Sequence, residues 1–153
     1  KTYEQDIQEK NIRIVFDNLT LSLMMEVNVE QFSKVLTGIL KNSMYALLKK
    51  SETVTFSPEI FLGLKVNKDM LEITIRDNGS GIDENIKDKI FAPFFTTKTT
   101  GEAAGVGLYL CREIVQNHRG TIEVESKKGE YTQFLITIPV YQPKTITPPK
   151  EEE

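Results

Sequence analysis

The chain has 153 residues, enough for one domain with a single core beneath a sheet, and its 19 basic and 22 acidic side chains leave a net charge of −3. That balance argues against a nucleic-acid-binding surface, and any polyanion must be met by positive or dipolar groups concentrated in one place. The single cysteine, Cys111, excludes an internal disulfide and fits a reducing compartment; no long apolar run or signal peptide is present, so a cytoplasmic domain without direct membrane contact is expected, whether or not a parent protein is anchored.

The chain opens at Lys1 without an initiator methionine, the pattern of a fragment. Residues 1–10 read as a polar helix or linker. Ile12, Ile14 and Phe16 alternate as in a strand, and residues 21–27 offer a second candidate. From Val29 to about Lys50, Phe32, Val35, Leu36, Ile39, Leu40, Ala46 and Leu47 recur at helical spacings of three and four. A polar loop over residues 51–58 leads to strands at 60–66 and 70–76, joined by the short hairpin connection Asn67-Lys68-Asp69. Residues 84–107 hold Gly, Thr, Lys and Ala with one short apolar cluster at 90–95, which predicts a mobile lid. A second helix spans 108–117, with Leu108, Cys111, Ile114 and Val115 on one side. Residues 121–124 and 132–140 read as a terminal hairpin around Lys127-Lys128-Gly129, and residues 142–153 as a disordered tail rich in proline and charge. Alternating strands with two long helices predict an α+β fold, a two-layer α/β sandwich whose mixed sheet is covered by helices on one face.

The strand at 70–76 ends in Asp77-Asn78-Gly79-Ser80-Gly81. An acid followed by two glycines at a strand end gives an exposed carboxylate beside backbone that can approach a flat ligand closely, although an ordinary turn uses the same letters. A carboxylate only accepts hydrogen bonds and the adenine amine only donates them, so one bond at Asp77 separates adenine from guanine. Asn42 borders the apolar stripe of its helix. It either bonds neighbouring backbone or offers its carbonyl oxygen to Mg²⁺, an ion that takes few protein oxygens and fills its shell with phosphate and water. The run Ala92-Pro93-Phe94-Phe95-Thr96-Thr97-Lys98 reads either as an aromatic core plug with a solvated lysine or as an anchor whose Lys98 reaches phosphate. Gly105-Val106-Gly107-Leu108 opens the second helix, whose free N–H groups and positive dipole end suit phosphate. The alternative phosphate loop, G-x-x-x-x-G-K-S/T, is absent. His118, the only histidine, ends the second helix beside its apolar side and is followed by Arg119, which fits a structural histidine near the negative helix end. Cys111 reads as buried core.

In this order Asn42, Asp77-x-Gly79-x-Gly81, Phe94-Phe95-Thr96-Thr97-Lys98 and Gly105-x-Gly107-Leu108 resemble the N, G1, F and G2 boxes of the ATP-binding domain of sensor histidine kinases, in the GHKL (Bergerat-fold) superfamily. The resemblance covers about Gln5 to Pro139. It implies a Bergerat-type ATP-binding catalytic domain over residues 11–141, preceded at 1–10 by the end of a dimerisation helix or a linker. It implies Mg·ATP as ligand, with Asn42 holding Mg²⁺ and Tyr45 and Ala46 beside it on the helix. Asp77, Gly79, Gly81 and Ile82 would surround adenine, with Thr132 supporting the aspartate and the base. Phe94, Thr96 and Lys98 would belong to the lid, Gly105, Val106, Gly107 and Leu108 to the phosphates, and Asn42 and Lys98 to catalysis.

The implied reaction is γ-phosphoryl transfer to a histidine on the protein's own dimerisation domain, absent from this chain, in a homodimer whose downstream partner is a response-regulator receiver domain. Gly38 and Ser43 stand where the family often has asparagine and alanine, Ala103 and Ala104 where it usually has glycine and threonine, and Arg119 where it usually has glycine. Two other classes compete. A self-contained GHKL ATPase uses a glutamate four residues before the magnesium asparagine, and position 38 is glycine. A degenerate nucleotide-binding interaction module is the outcome if Ala103 and Ala104 disable the lid.

Overall fold

The structure is a computed structural model that describes residues 3–17, 27–93, 95 and 107–140. Residues 21–26 of the candidate strand at 21–27, residues 94 and 96–106 of the expected lid at 84–107, and the tail from 142 lie outside the described residues. Helix α1 (Tyr3–Glu9) leads through a tight turn, with Asn11 at φ 52°, into strand β1 (Arg13–Asp17). Helix α2 (Val29–Ser51) follows, then the hairpin β2 (Glu59–Asn67) and β3 (Met70–Asp77). Helix α3 (Gly107–Asn117) precedes a second hairpin, β4 (Thr121–Lys127) and β5 (Tyr131–Pro139).

The five strands form one mixed sheet in the order β1-β2-β3-β5-β4. Among the described strands only β1 and β2 pair in parallel. Parallel neighbours need a long connection, and α2 lies within it. Both hairpin loops are tighter than the sequence suggested: Asn67 pairs with Met70, so Lys68 and Asp69 alone make the first turn.

One two-residue period builds the core. On β3, Leu71, Ile73 and Ile75 are buried; across the ladder they face Ile138, Ile136 and Phe134 of β5. This apolar row meets Val35, Ile39, Met44 and Leu47 of α2 and Cys111 and Val115 of α3, which gives the two-layer α/β sandwich.

Helix α2 starts cleanly because the Asn28 side chain accepts from the Gln31 N–H at 3.0 Å. Its last turn carries Lys49 and Lys50, the sign that suits a helix C-terminus. The two helices approach closely at Gly38, where a Cβ would lie 2.8 Å from Cys111 Sγ. They are also latched end to end. His118 Nδ1 bonds the Ile114 carbonyl at 2.8 Å, and His118 Nε2 accepts from the Asn28 N–H at 3.2 Å. Both ring nitrogens of this 8% exposed histidine are therefore engaged.

Gly38→Ala is expected to destabilise the fold by about 1–3 kcal/mol through overpacking, and Cys111→Ala in the same chain to recover part of that loss. Denaturant unfolding of the two single variants, the double variant and the wild-type protein measures the coupling. Additive costs would show that the two helices do not meet at this point.

Candidate functional site

Extending the period of β3 by one step places Asp77 on the core face, as the register partner of Thr132. The row Leu71, Ile73, Ile75 thus ends in a polar pair, Asp77 and Thr132, which are 2% and 4% exposed. This corrects the expectation of an exposed carboxylate: Asp77 reaches a cleft, but its side chain sits almost wholly inside the protein.

Burial pushes the Asp77 carboxyl up from 3.8 to about 6. The Gly79 N–H, which bonds Oδ1 at 2.9 Å, the Ser43 hydroxyl, and the charges of Lys50 and Arg76 all favour the ionised form and limit the rise. Ser43 sits just behind the carboxyl on α2, fully buried; its Oγ has no partner of full hydrogen-bonding geometry among the described residues.

The turn after Asp77 is bound on two sides. Ser80 N–H donates to the Ala46 carbonyl of α2 at 3.1 Å, and the Ser80 carbonyl accepts from Gly129 N–H of the β4–β5 turn at 2.6 Å. Asn78 fastens the same turn to the start of β2 by accepting from Glu59 N–H at 2.7 Å and donating to the Ser57 carbonyl at 2.8 Å. A Cβ on Gly79 would lie 2.6 Å from the Ala46 carbonyl carbon, and one on Gly81, at φ 66°, would strike the Lys127 backbone. The close approach that glycine permits here is first of all to the protein's own backbone. Gly79 is accordingly not part of the cleft wall, whereas Gly81 and Ile82 are.

The cleft has a volume of about 940 Å³ and lies between α2, the Asp77 turn and α3. Asn42, Tyr45, Ala46, Asp77, Gly81, Ile82, Gly107, Leu108 and Thr132 all border it, so the structure brings together most of the residues singled out in the sequence. Phe94, Thr96, Lys98, Gly105 and Val106 lie outside the described residues. Phe95, by contrast, packs against the core and forms part of the wall. Lys34, Lys41, Lys49 and Lys128 stand around the cleft, a local concentration of positive charge on a negatively charged chain. Lys128 is paired with Asp83 at 3.0 Å.

Two features fit phosphate and a cation. Gly107, the first residue of α3, borders the cleft, and a Cβ there would meet nothing within 4 Å among the described residues. Unlike Gly38 and Gly79, it makes no close contact with another described residue, and a helix N-terminus suits phosphate. On α2 the Asn42 amide nitrogen donates to the Gly38 carbonyl at 3.0 Å. That bond directs the nitrogen to the helix backbone and leaves the amide oxygen for the cleft. Among the described residues no group of three or more His, Cys, Asp or Glu could hold a metal. A single neutral oxygen suits Mg²⁺ arriving with its phosphates, since that ion keeps most of its shell from phosphate and water.

Sequence reading missed Ser126. Its Oγ is bonded to the Tyr131 carbonyl at 2.7 Å, to Thr132 Oγ1 at 3.0 Å and to Ile82 N–H at 2.8 Å. Thr132, expected to support Asp77 and adenine, stands as the register partner of Asp77 and bonds Ser126. No local pattern announces this, because Ser126 and Ile82 are 44 residues apart. Cys111 is core, as expected, and burial pushes its thiol up to about 11.

Residues 28–142 match the family described as histidine kinase-, DNA gyrase B-, and HSP90-like ATPases, and the chain belongs to that family. Within it, the chain is an ATP-binding catalytic domain of the sensor-histidine-kinase type. It is 33% identical over 149 residues, 92% of its length, to the sensor histidine kinase AtsR of Burkholderia thailandensis, of which it spans 24%. It is 42% identical over 86 residues, 55% of its length, to cyanobacterial phytochrome A of a Nostoc species, of which it spans 11%. The solved nucleotide-free catalytic domain of histidine kinase ThkA superposes with a TM-score of 0.74 at 29% identity, covering 90% of this chain and 85% of that one. No helix among the described residues is long and apolar enough to cross a membrane.

Because folding raises the Asp77 pKa, its carboxyl withdraws stability as pH climbs: the penalty is absent below about 4 and complete above about 6. At ~1.4 kcal/mol per unit, a rise from 3.8 to about 6 is worth at most about 3 kcal/mol. Asp77→Asn lacks that penalty, so in ligand-free urea unfolding the variant is expected to gain on the wild-type protein between pH 4 and 7. A stability difference that stays constant with pH would contradict the desolvated carboxyl.

Proposed function

We propose that this chain binds Mg·ATP in the cleft and presents its γ-phosphoryl group to a histidine on a separate dimerisation domain. The parent would be a cytoplasmically exposed homodimeric kinase, and a response-regulator receiver domain would take the phosphoryl group next. Residues 1–10 fit the end of that dimerisation helix or its linker, residues 11–141 the catalytic domain, and residues 142–153 a tail. The observation that carries the reading is the buried Asp77 carboxylate at the polar end of the core row, on a cleft that Asn42 and the first residues of α3 also border.

Each part has a role set by its chemistry. Asp77 accepts from the adenine amine, and Gly81 and Ile82 border the base. The N-terminus of α3, with Gly107 and Leu108, receives phosphate through backbone N–H groups. Asn42 holds Mg²⁺ by its amide oxygen, and the ion when bound neutralises charge on the phosphates. Phe94, Thr96, Lys98, Gly105 and Val106 are assigned to the lid and phosphates on the resemblance, with Lys98 as the charge that approaches the transferred group. Catalysis here is positioning and charge neutralisation, since the nucleophile comes from another domain. His118 does not suit the acceptor role: it is buried and both ring nitrogens are engaged. A self-contained ATPase needs a carboxylate at position 38, where even a Cβ would already crowd Cys111.

Asp77→Asn is expected to weaken ADP binding by about 1.5–3 kcal/mol, the range for a hydrogen bond to a charged group, as read by calorimetry. Unchanged affinity in the folded variant would remove the adenine role. With γ-labelled ATP the chain alone is expected to stay unlabelled. Label should pass to a histidine-bearing dimerisation domain added in trans, and this transfer should vanish with Asn42→Ala. Acid-labile label on His118, or rapid hydrolysis that survives Asn42→Ala, would contradict the reading.

A further inference from the structure

Ser126 on β4 has one hydroxyl proton and three partners: the Tyr131 carbonyl, Ile82 N–H and Thr132 Oγ1. A carbonyl brings no proton, so Ser126 must spend its own on Tyr131. An amide N–H brings no lone pair, so Ser126 accepts from Ile82. Only an accepting position then remains toward Thr132, and the threonine must donate its proton to Ser126. The Thr132 oxygen is left with lone pairs alone, on a residue that borders the cleft.

Thr132 is the register partner of Asp77 on the same buried face, so two acceptors stand side by side at this end of the cleft. The adjacent Gly79 N–H is already committed to Asp77 Oδ1 at 2.9 Å. An amine, which only donates, meets this pair well, and a ring carbonyl meets lone pairs with no proton to bind.

We propose that Ser126 is a positioning residue that orients the Thr132 hydroxyl, so that the Asp77–Thr132 end of the cleft presents acceptors only and rejects purines bearing a 6-oxo group. The proposal rests on reading Asp77 as the adenine contact. Ser126 touches no ligand; it acts by fixing where the threonine proton goes.

ADP and inosine diphosphate differ at the purine 6-position, amine against carbonyl, and in the proton on the adjacent ring nitrogen. Calorimetry with both, without Mg²⁺ and at a pH well above 6 where Asp77 is ionised and only accepts, on the whole chain and on Ser126→Ala, Ser126→Thr, Thr132→Val and Asp77→Asn is the test. Ser126→Ala frees the threonine proton to meet a carbonyl, so the preference for ADP is expected to narrow about five- to tenfold, mainly through tighter inosine diphosphate binding. Ser126→Thr keeps the hydroxyl and should keep the wild-type preference. Thr132→Val removes one acceptor and should narrow the preference through weaker ADP binding, which keeps the test decisive should Ser126→Ala fold poorly. An equal fall in both affinities with Ser126→Ala, leaving their ratio within about twofold of wild type, would mean that Ser126 only anchors Ile82, and would overturn the proposal. A ratio unchanged in Thr132→Val would overturn it as well. Asp77→Asn separates the two levels: if it binds ADP like wild type, the adenine reading itself fails, and if it loses ADP while the Ser126 ratio holds, only the Ser126 role is lost.

Discussion

The structure turns on a carboxylate placed at the end of an apolar row. Asp77 occupies the next core-facing position after Leu71, Ile73 and Ile75, and it is as buried as they are. A charge in such a place is held only if polar groups come to it, and the chain supplies them from three directions. Gly79 turns back to give an N–H, α2 brings Ser43 and the charge of Lys50, and β3 itself contributes Arg76. The remaining elevation of the pKa is the part of the desolvation cost that these neighbours do not offset. A ligand that donates a hydrogen bond at this point would offset that cost and favour the charged form.

This constraint explains why the turn and the helix are so closely fitted. The chain must leave β3 and pass immediately beneath α2, which it does by giving up the side chain at Gly79 against Ala46 and bonding Ser80 to the same residue. Helix α2 is fixed in turn against α3 by Gly38 over Cys111 and by the Asn28–His118 bond at its start. The cleft is thus bounded by elements that share atoms of contact well outside it. Asn42 takes its orientation from this frame, because its amide nitrogen bonds the carbonyl of the same Gly38 that permits the helices to meet.

Much of this was legible in the residues. Alternation over 70–76, helical spacing over 29–50 and the order of the motifs led to the α+β sandwich, with both helices found and the strands placed within a few residues. Asp77, Asn42 and Gly107 were singled out and do converge. The burial of Asp77 was also written in the alternation, since position 77 has the parity of 71, 73 and 75. Gly79 and Gly81 look like clearance for a ligand, yet their neighbours are the Ala46 and Lys127 backbones. Contacts between distant segments left no local trace: Gly38 with Cys111, His118 with Asn28, and Ser126 with Ile82 are decided by how helices and hairpins assemble. A period of two or 3.6 residues specifies faces, not which atoms meet across them.

The buried carboxylate reports on its own state, and its carboxyl carbon can be followed by ¹³C NMR as pH is varied. Without nucleotide, Asp77 should titrate near 6, well above the ordinary carboxylate value of 3.8. With saturating ADP the titration should move to lower pH, because a hydrogen bond donated by the adenine amine favours the charged form. A midpoint that ADP leaves in place, in a sample where calorimetry shows the nucleotide bound, would contradict Asp77 as the group that reads the base.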